Sequence, residues 1–152
     1  WKDARDVPLG LGRFDLDDVR VRAGELSAFL DDAAASYGLA RERMVAVGYS
    51  NGANIAHATM LLHPLTFAGA ALLHAQFVLA PDPLPSLVGR AVFLAAGETD
   101  PIVPIGEARR LADTLAAAGA AVTPFWAPGG HALTRDDVSH AREWLNSAGF
   151  GS

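Results

Sequence analysis

The pentapeptide 48–52 (GYSNG) places Ser50 between two glycines, a spacing that can expose a nucleophilic hydroxyl. The apolar run 44–47 before it predicts a buried strand, and segment 53–58 after it predicts a helix. So sharp a strand-to-helix turn strains the serine, and glycines on both sides leave room for it. We therefore expect Ser50 Oγ to project from the end of a sheet at a helix N-terminus. The alternative is an ordinary turn with a serine cap, because five-residue patterns also occur by chance.

An aspartate and a histidine follow Ser50, each after a further predicted strand. Asp100 follows the apolar run 91–96, and His131 stands beside two glycines after the run 122–126. The order Ser, Asp, His, with each residue after a parallel strand, is the order that α/β-hydrolases use for a catalytic triad. Taken singly, the aspartate could start a turn and the histidine could be a surface residue. Glu98 is the second candidate for the acid.

These motifs resemble those of a known family. The stretch 14–144 resembles bacterial carboxylesterases of the phospholipase/carboxylesterase (acyl-protein-thioesterase-like) branch of the α/β-hydrolase superfamily. Three segments carry the resemblance: 47–54 (VGYSNGAN), 97–104 (GETDPIVP) and 129–131 (GGH).

The resemblance also implies a role for each matching residue. Ser50 would be the nucleophile, His131 the general base and Asp100 the acid that orients it. The backbone N–H of Asn51 would be one donor of the oxyanion hole. The family uses no cofactor and no metal, so we expect neither.

The resemblance also implies that part of the fold is missing. Family members place about four strands before the nucleophile, and a loop among them supplies a second oxyanion donor, whereas Ser50 here follows one predicted helix. Loss of one such donor costs on the order of 10²–10³ in rate. We therefore expect an α/β fold, a parallel sheet flanked by helices, that is only the C-terminal part of the hydrolase fold. The strand before Ser50 would keep an open edge, where we expect self-association or a complementary polypeptide.

The other predicted elements alternate between helix and strand, which favours a parallel sheet buried on both faces. No linker divides the chain, so residues 1–152 are predicted to be a single, partial domain. Pro124 indicates that the last strand lies at a sheet edge. Outside the segments given above, we predict an irregular start over 1–13, helices from Asp15 to Gly38, from Pro104 to about Ala118 and from Arg135 to Ala148, a strand over 67–73, and a capping box of Thr134 and Asp137.

Composition narrows the functional classes. The net charge of −5 is spread along the chain and offers no basic stripe for nucleic acid. No apolar run approaches the roughly 20 residues of a membrane span, and no secretory signal is visible, so a soluble cytoplasmic protein is the default expectation. The absence of cysteine excludes disulfides, thiolate metal sites and a cysteine nucleophile. The histidines show no metal-ligand spacing.

His74 and Gln76 follow the strand 67–73, which predicts a position near the mouth of the pocket. There they could bind substrate or line a lid, and the alternative is that they are loop residues without a role. Two further polar residues, Asn54 and His57, are expected to pack or to face solvent on the helix after Ser50.

The expected chemistry is hydrolysis of a small carboxylic ester through an acyl-enzyme. The apolar segment 75–87 would lie near the site and suggests a short- to medium-chain acyl or aryl ester. Two alternatives stay open. The chain could be a non-catalytic or assembly half of a split hydrolase, or it could be a thioesterase or a peptidase on the same scaffold.

Overall fold

A computed structural model describes residues 14–151, so the start expected over 1–13 lies outside the described residues. Within 14–151, no helix is long and apolar enough to cross a membrane. The elements, in chain order, are α1 (Leu16–Tyr37), a 3-10 turn (Arg41–Arg43), β1 (Val45–Tyr49), α2 (Asn51–Leu62), β2 (Gly69–Leu73), β3 (Ala91–Gly97), α3 (Ile105–Ala117), β4 (Ala121–Ala127) and α4 (Arg135–Ser147).

The four strands form one parallel sheet in the order β1-β2-β3-β4. The strand that contains Pro124 lies at one edge, as expected, with Pro124 opposite Leu94 of β3. Because all four strands are parallel, their C-terminal ends lie along one edge of the sheet. The loops after β1, β3 and β4 therefore start from the same edge of the sheet, and these loops carry Ser50, Asp100 and His131.

Helices cover both faces of the sheet. On one face, α2 and α3 pack against alternate strand residues such as Leu72, Val92 and Leu94, and α1 packs on α2. On the other face, α4 buries Trp144 against Phe93. The expected parallel sheet flanked by helices is confirmed.

The helix ends follow local capping chemistry. Asp15 accepts hydrogen bonds from the N–H groups of the first turn of α1, and Gly38 ends the helix with φ +63°. The capping box of Thr134 and Asp137 opens α4 as predicted. Pro104 stands one position earlier than expected, as the N-cap of α3 and not in its first turn.

The open edge expected at β1 is present within residues 14–151, where β1 pairs only with β2. Alternation along the strand places Val47 and Tyr49 on the face that α4 covers elsewhere. Val47 is 63% exposed and Tyr49 is 39% exposed. At this end of the sheet, both an unpaired strand edge and an apolar face are thus exposed to solvent.

His57 is a fully buried histidine on α2. Its Nδ1 lies 3.2 Å from the carbonyl oxygen of Ala53, and its Nε2 lies 3.3 Å from the N–H of Val78. The Val78 N–H is a donor, so it requires an unprotonated Nε2 and a neutral ring. Burial lowers the pKa of His57 to about 4, although the hydrogen bond to Ala53 acts in the opposite direction.

We expect this ring to make the protein less stable as pH falls from 7 to 4.5. The unfolded chain takes up the His57 proton near pH 6.5 and the folded chain only near 4, so acid favours unfolding between these values. The full difference is on the order of 3 kcal/mol. Urea unfolding at both pH values should show a smaller loss for His57→Gln than for wild type. The control His140→Gln, which changes an exposed histidine, should behave as wild type, and an equal loss in all three proteins would contradict the assignment.

Candidate active site

Ser50 lies in a strained turn between β1 and α2, with φ +51° and ψ −116°. Hydrogen bonds hold its peptide on both sides, because its N–H donates to Leu73 O and its carbonyl accepts from the N–H of Asn54. A Cβ on Gly48 would lie 2.5 Å from the backbone of Gly52, so only glycine fits there. The second glycine is different: apart from its chain neighbours and the nearby backbone of α2, no described atom lies within 4 Å of a Cβ built on Gly52. The prediction that close packing requires both glycines therefore holds only for Gly48.

The structure brings together the three residues predicted to form the triad. Ser50 Oγ lies 2.9 Å from His131 Nε2, and His131 Nδ1 lies 2.6 Å from Asp100 Oδ2. Asp100 is buried, whereas the other two side chains are half-buried. The hydroxyl is therefore close enough to transfer its proton to the imidazole, and the carboxylate fixes the orientation of that imidazole.

The Asp100 carboxylate is held at both of its oxygens. Oδ1 accepts from the N–H groups of Ile102 (2.7 Å) and Val103 (2.9 Å), which leaves Oδ2 for His131. Burial raises the pKa of Asp100, but these hydrogen bonds outweigh burial, and the pKa lies below its ordinary value. The second candidate for the acid, Glu98, is exposed.

Two contacts fix the loop that carries His131. The hydroxyl of Tyr49 donates to the carbonyl oxygen of His131 at 2.8 Å. At the end of β3, Gly97 lets the backbone of Gly129 and Gly130 approach closely, because a Cβ there would overlap their carbonyl oxygens. Sequence reasoning missed the contact from Tyr49, since the two residues are 82 positions apart and no local pattern links them.

The structure buries His74 next to Asp100 and His131 and not at the mouth of the pocket. The side chain is only 1% exposed, so the expected position is wrong. Its Nε2 lies 3.3 Å from Asp137 Oδ2, and its Nδ1 lies 3.6 Å from Asp100 Oδ2. The ring also packs edge-on against Tyr49 and His131.

Gln76 is half-buried on the loop after β2. Its backbone N–H donates to the side chain of Asn54 at 2.8 Å, and the Asn54 amide lies 3.4 Å from Asn51 Oδ1. Asn54 is thus a buried bridge between this loop and the start of α2. Its packing role, like that of His57, agrees with the sequence prediction.

An apolar groove of about 760 Å³ opens beside Asn51, the residue after Ser50. Val78 is the member of segment 75–87 that lines it. Ala75, Leu79 and Leu87 are buried like Val78 but do not line the groove. The apolar surface next to the serine therefore comes mainly from α1 and α2. The other apolar side chains of the groove are Phe14, Val19, Leu26, Phe29 and Ile55.

His74, Asp100 and His131 are the described residues whose potential ligand atoms could converge on a metal ion, with these atoms within 4.8 Å of one another. The short hydrogen bond between Asp100 and His131 uses two of those atoms.

Comparison with known sequences identifies similar proteins. The model of a family described as phospholipase/carboxylesterase matches residues 13–148. The putative hydrolase MhqD of Bacillus subtilis is 39% identical over 140 residues, which are 92% of this chain and 70% of that protein.

Solved structures show the same architecture. The carboxylesterase of Bacillus cereus has a TM-score of 0.89 and 41% identity, over 92% of this chain and 66% of its own. A carboxylesterase from Mesorhizobium loti has a TM-score of 0.84 and 31% identity, over 91% and 66%. SOBER1 of Arabidopsis thaliana, at 21% identity and a TM-score of 0.76 over 89% and 66%, shares the fold. The chain thus spans about two thirds of the length of these relatives.

Proposed function

The chain belongs to the phospholipase/carboxylesterase family, and from that premise we propose that it is the catalytic part of a serine hydrolase that cleaves small carboxylic esters. The observation that carries the proposal is the continuous line of hydrogen bonds from Ser50 through His131 to Asp100. In this proposal they are nucleophile, general base and orienting acid.

The proposed reaction is acyl transfer in two stages. His131 Nε2 takes the proton of Ser50 Oγ as the oxygen attacks the ester carbonyl, and it then gives that proton to the departing alcohol. Asp100 stabilises the imidazolium through the 2.6 Å contact with Nδ1. In the second stage, water attacks the acyl-enzyme with the same base and releases the acid.

The developing oxyanion needs hydrogen-bond donors near Ser50 Oγ. Asn51 is the first residue of α2, where backbone N–H groups have no partner within the helix and the helix dipole favours negative charge. We assign one donor to the N–H of Asn51. A second donor would come from additional polypeptide. That polypeptide would correspond to the third of each relative's length that this chain does not match.

The groove beside Asn51 supports an acyl group that is apolar and of short to medium length. Phe29 and Ile55 lie in its wall, so a saturated chain placed there would be removed from water. Gln76 remains a candidate for substrate contact, because it lies on the loop next to Asn54 at the start of the groove.

Parallel assays test the ester assignment. Purified protein should hydrolyse p-nitrophenyl acetate and butyrate faster than matched acyl thioesters and small amides. Faster thioester cleavage would favour the thioesterase alternative, and a clear amide preference would favour a peptidase. If the protein showed no turnover while Ser50 still reacted with a fluorophosphonate, the result would favour the alternative that the chain is a non-catalytic or assembly half of a split hydrolase.

We further propose that additional polypeptide covers the open edge of β1. Relatives are about a third longer than this chain, and β1 offers both unpaired backbone groups and the exposed Val47. Strand addition to such an edge satisfies its backbone groups, and an uncovered edge promotes association.

For the chain by itself, we expect association through this edge at micromolar concentration. Size-exclusion chromatography with light scattering should give a mass above 15.9 kDa, the mass of one chain. Val47→Lys should return the protein to a monomer, because a lysine on an edge strand opposes pairing. Leu65→Lys, at a 74% exposed loop position, is the matched control and should not. A stable monomer with full esterase activity would show that the edge needs no cover.

A further inference from the structure

His74 is a buried polar residue that the acyl-transfer steps leave without a role. It follows β2 directly, its N–H donates to Ala95 O at 2.8 Å, and its φ is +53°. Ser50 follows β1 in the same way, with φ +51°. These are the two residues other than glycine with positive φ among residues 14–151. Such strain persists where the surroundings impose it, and it is concentrated at functional sites.

The ring of His74 lies between two buried carboxylates. Nε2 is 3.3 Å from Asp137 Oδ2, and Nδ1 is 3.6 Å from Asp100 Oδ2. An ionised carboxylate only accepts hydrogen bonds, so each ring nitrogen faces an acceptor. Nδ1 has no hydrogen-bond partner among the described residues, and a proton on it would point to Asp100.

Asp137 is a firm anchor for this arrangement. Its Oδ2 accepts from both the N–H (2.8 Å) and the hydroxyl (2.7 Å) of Thr134 at the start of α4. The side chain is 0% exposed. Burial raises the pKa of Asp137, but the hydrogen bonds from Thr134 and His74 outweigh burial and keep the pKa below its ordinary value. A link through His74 would therefore connect Asp100 to a fixed point on α4.

We propose that His74 is a positioning residue that ties Asp100 to Asp137, with a proton on each ring nitrogen, and so holds Asp100 Oδ2 against His131. This inference rests on the proposed serine-hydrolase function. It gives His74 no contact with substrate, in keeping with its burial.

His74→Asn tests the proposal, because asparagine tolerates a positive φ and lacks the ring that spans the two carboxylates. We expect kcat for p-nitrophenyl butyrate to fall between about 10- and 100-fold, as for a modest misplacement of catalytic groups, with KM unchanged. Fluorophosphonate labelling of Ser50 should slow in parallel with kcat. His140→Asn, at an exposed position on α4, is the matched control and should leave both unchanged.

Nitrogen-15 NMR of the wild-type protein provides a second measurement that does not depend on turnover. Both ring nitrogens of His74 should carry a proton in the folded protein, because each faces a carboxylate oxygen. A bare nitrogen on His74 would overturn the proposal, as would a His74→Asn variant that loses stability but keeps its kcat. A rise in KM alone would instead indicate contact with substrate. If Ser50 of the wild type were unreactive, the proposed function would fail, while the NMR result would still decide how His74 is bonded.

Discussion

Replacement of Ser50 by alanine is expected to abolish ester hydrolysis. In a complete site, loss of the nucleophile lowers kcat on the order of 10⁶-fold, and only binding and oxyanion stabilisation remain. Oγ is the atom that lies 2.9 Å from the imidazole, and alanine offers nothing in its place. A fluorophosphonate probe should label wild type at Ser50, as peptide mass spectrometry would show, and should not label the variant.

The variant should fold normally, because the turn at Ser50 is held by its backbone hydrogen bonds and not by its side chain. Ser139→Ala, at an exposed position on α4, is the matched control and should keep both labelling and turnover. Labelling of another serine with Ser50 untouched would refute the assignment. If circular dichroism showed that Ser50→Ala is unfolded, Ser50→Gly would be tested in its place. Glycine adopts a φ of +51° without strain.

The fold and the proximity of Ser50, Asp100 and His131 could be predicted because each depends on local signals. Short apolar runs followed by glycine-containing loops indicate parallel strands, and parallel strands place those loops on one edge of the sheet. The strand order then places residues 81 and 31 positions apart at the same edge of the sheet, and the conformations of the loops bring them into contact.

The surroundings of His74 could not be predicted in the same way. Its contact with Asp137 joins residues 63 positions apart and depends on how α4 packs on the sheet. The sequence marks Asp137 as part of a capping box, which is correct, but one of its oxygens also faces inward to His74. The open edge of β1 is a different case, since the sequence predicts it and it is present among the described residues, whereas a partner for it is a proposal.

The second large effect concerns the acid. Asp100→Asn is expected to lower kcat by up to about 10⁴-fold while the fold remains intact. The N–H groups of Ile102 and Val103 both donate to Oδ1, so the amide oxygen of an asparagine would stay at that position. The amide NH₂ would then replace Oδ2 in front of His131 Nδ1. A donor there requires a bare Nδ1 and moves the ring proton to Nε2, and the imidazole can then no longer accept the proton of Ser50.

Glu98→Gln is the control for this variant, because it makes the same change of charge two residues away on an exposed side chain. We expect it to keep wild-type kcat. Thermal unfolding should show that Asp100→Asn retains its structure, since the two hydrogen bonds to Oδ1 survive, and fluorophosphonate labelling of Ser50 should slow in parallel with turnover. If Asp100→Asn kept full activity and Glu98→Gln lost it, the role of the acid would pass to Glu98. His131 would then have to leave its 2.6 Å contact with Asp100 before catalysis, and the loop held by Tyr49 would have to move.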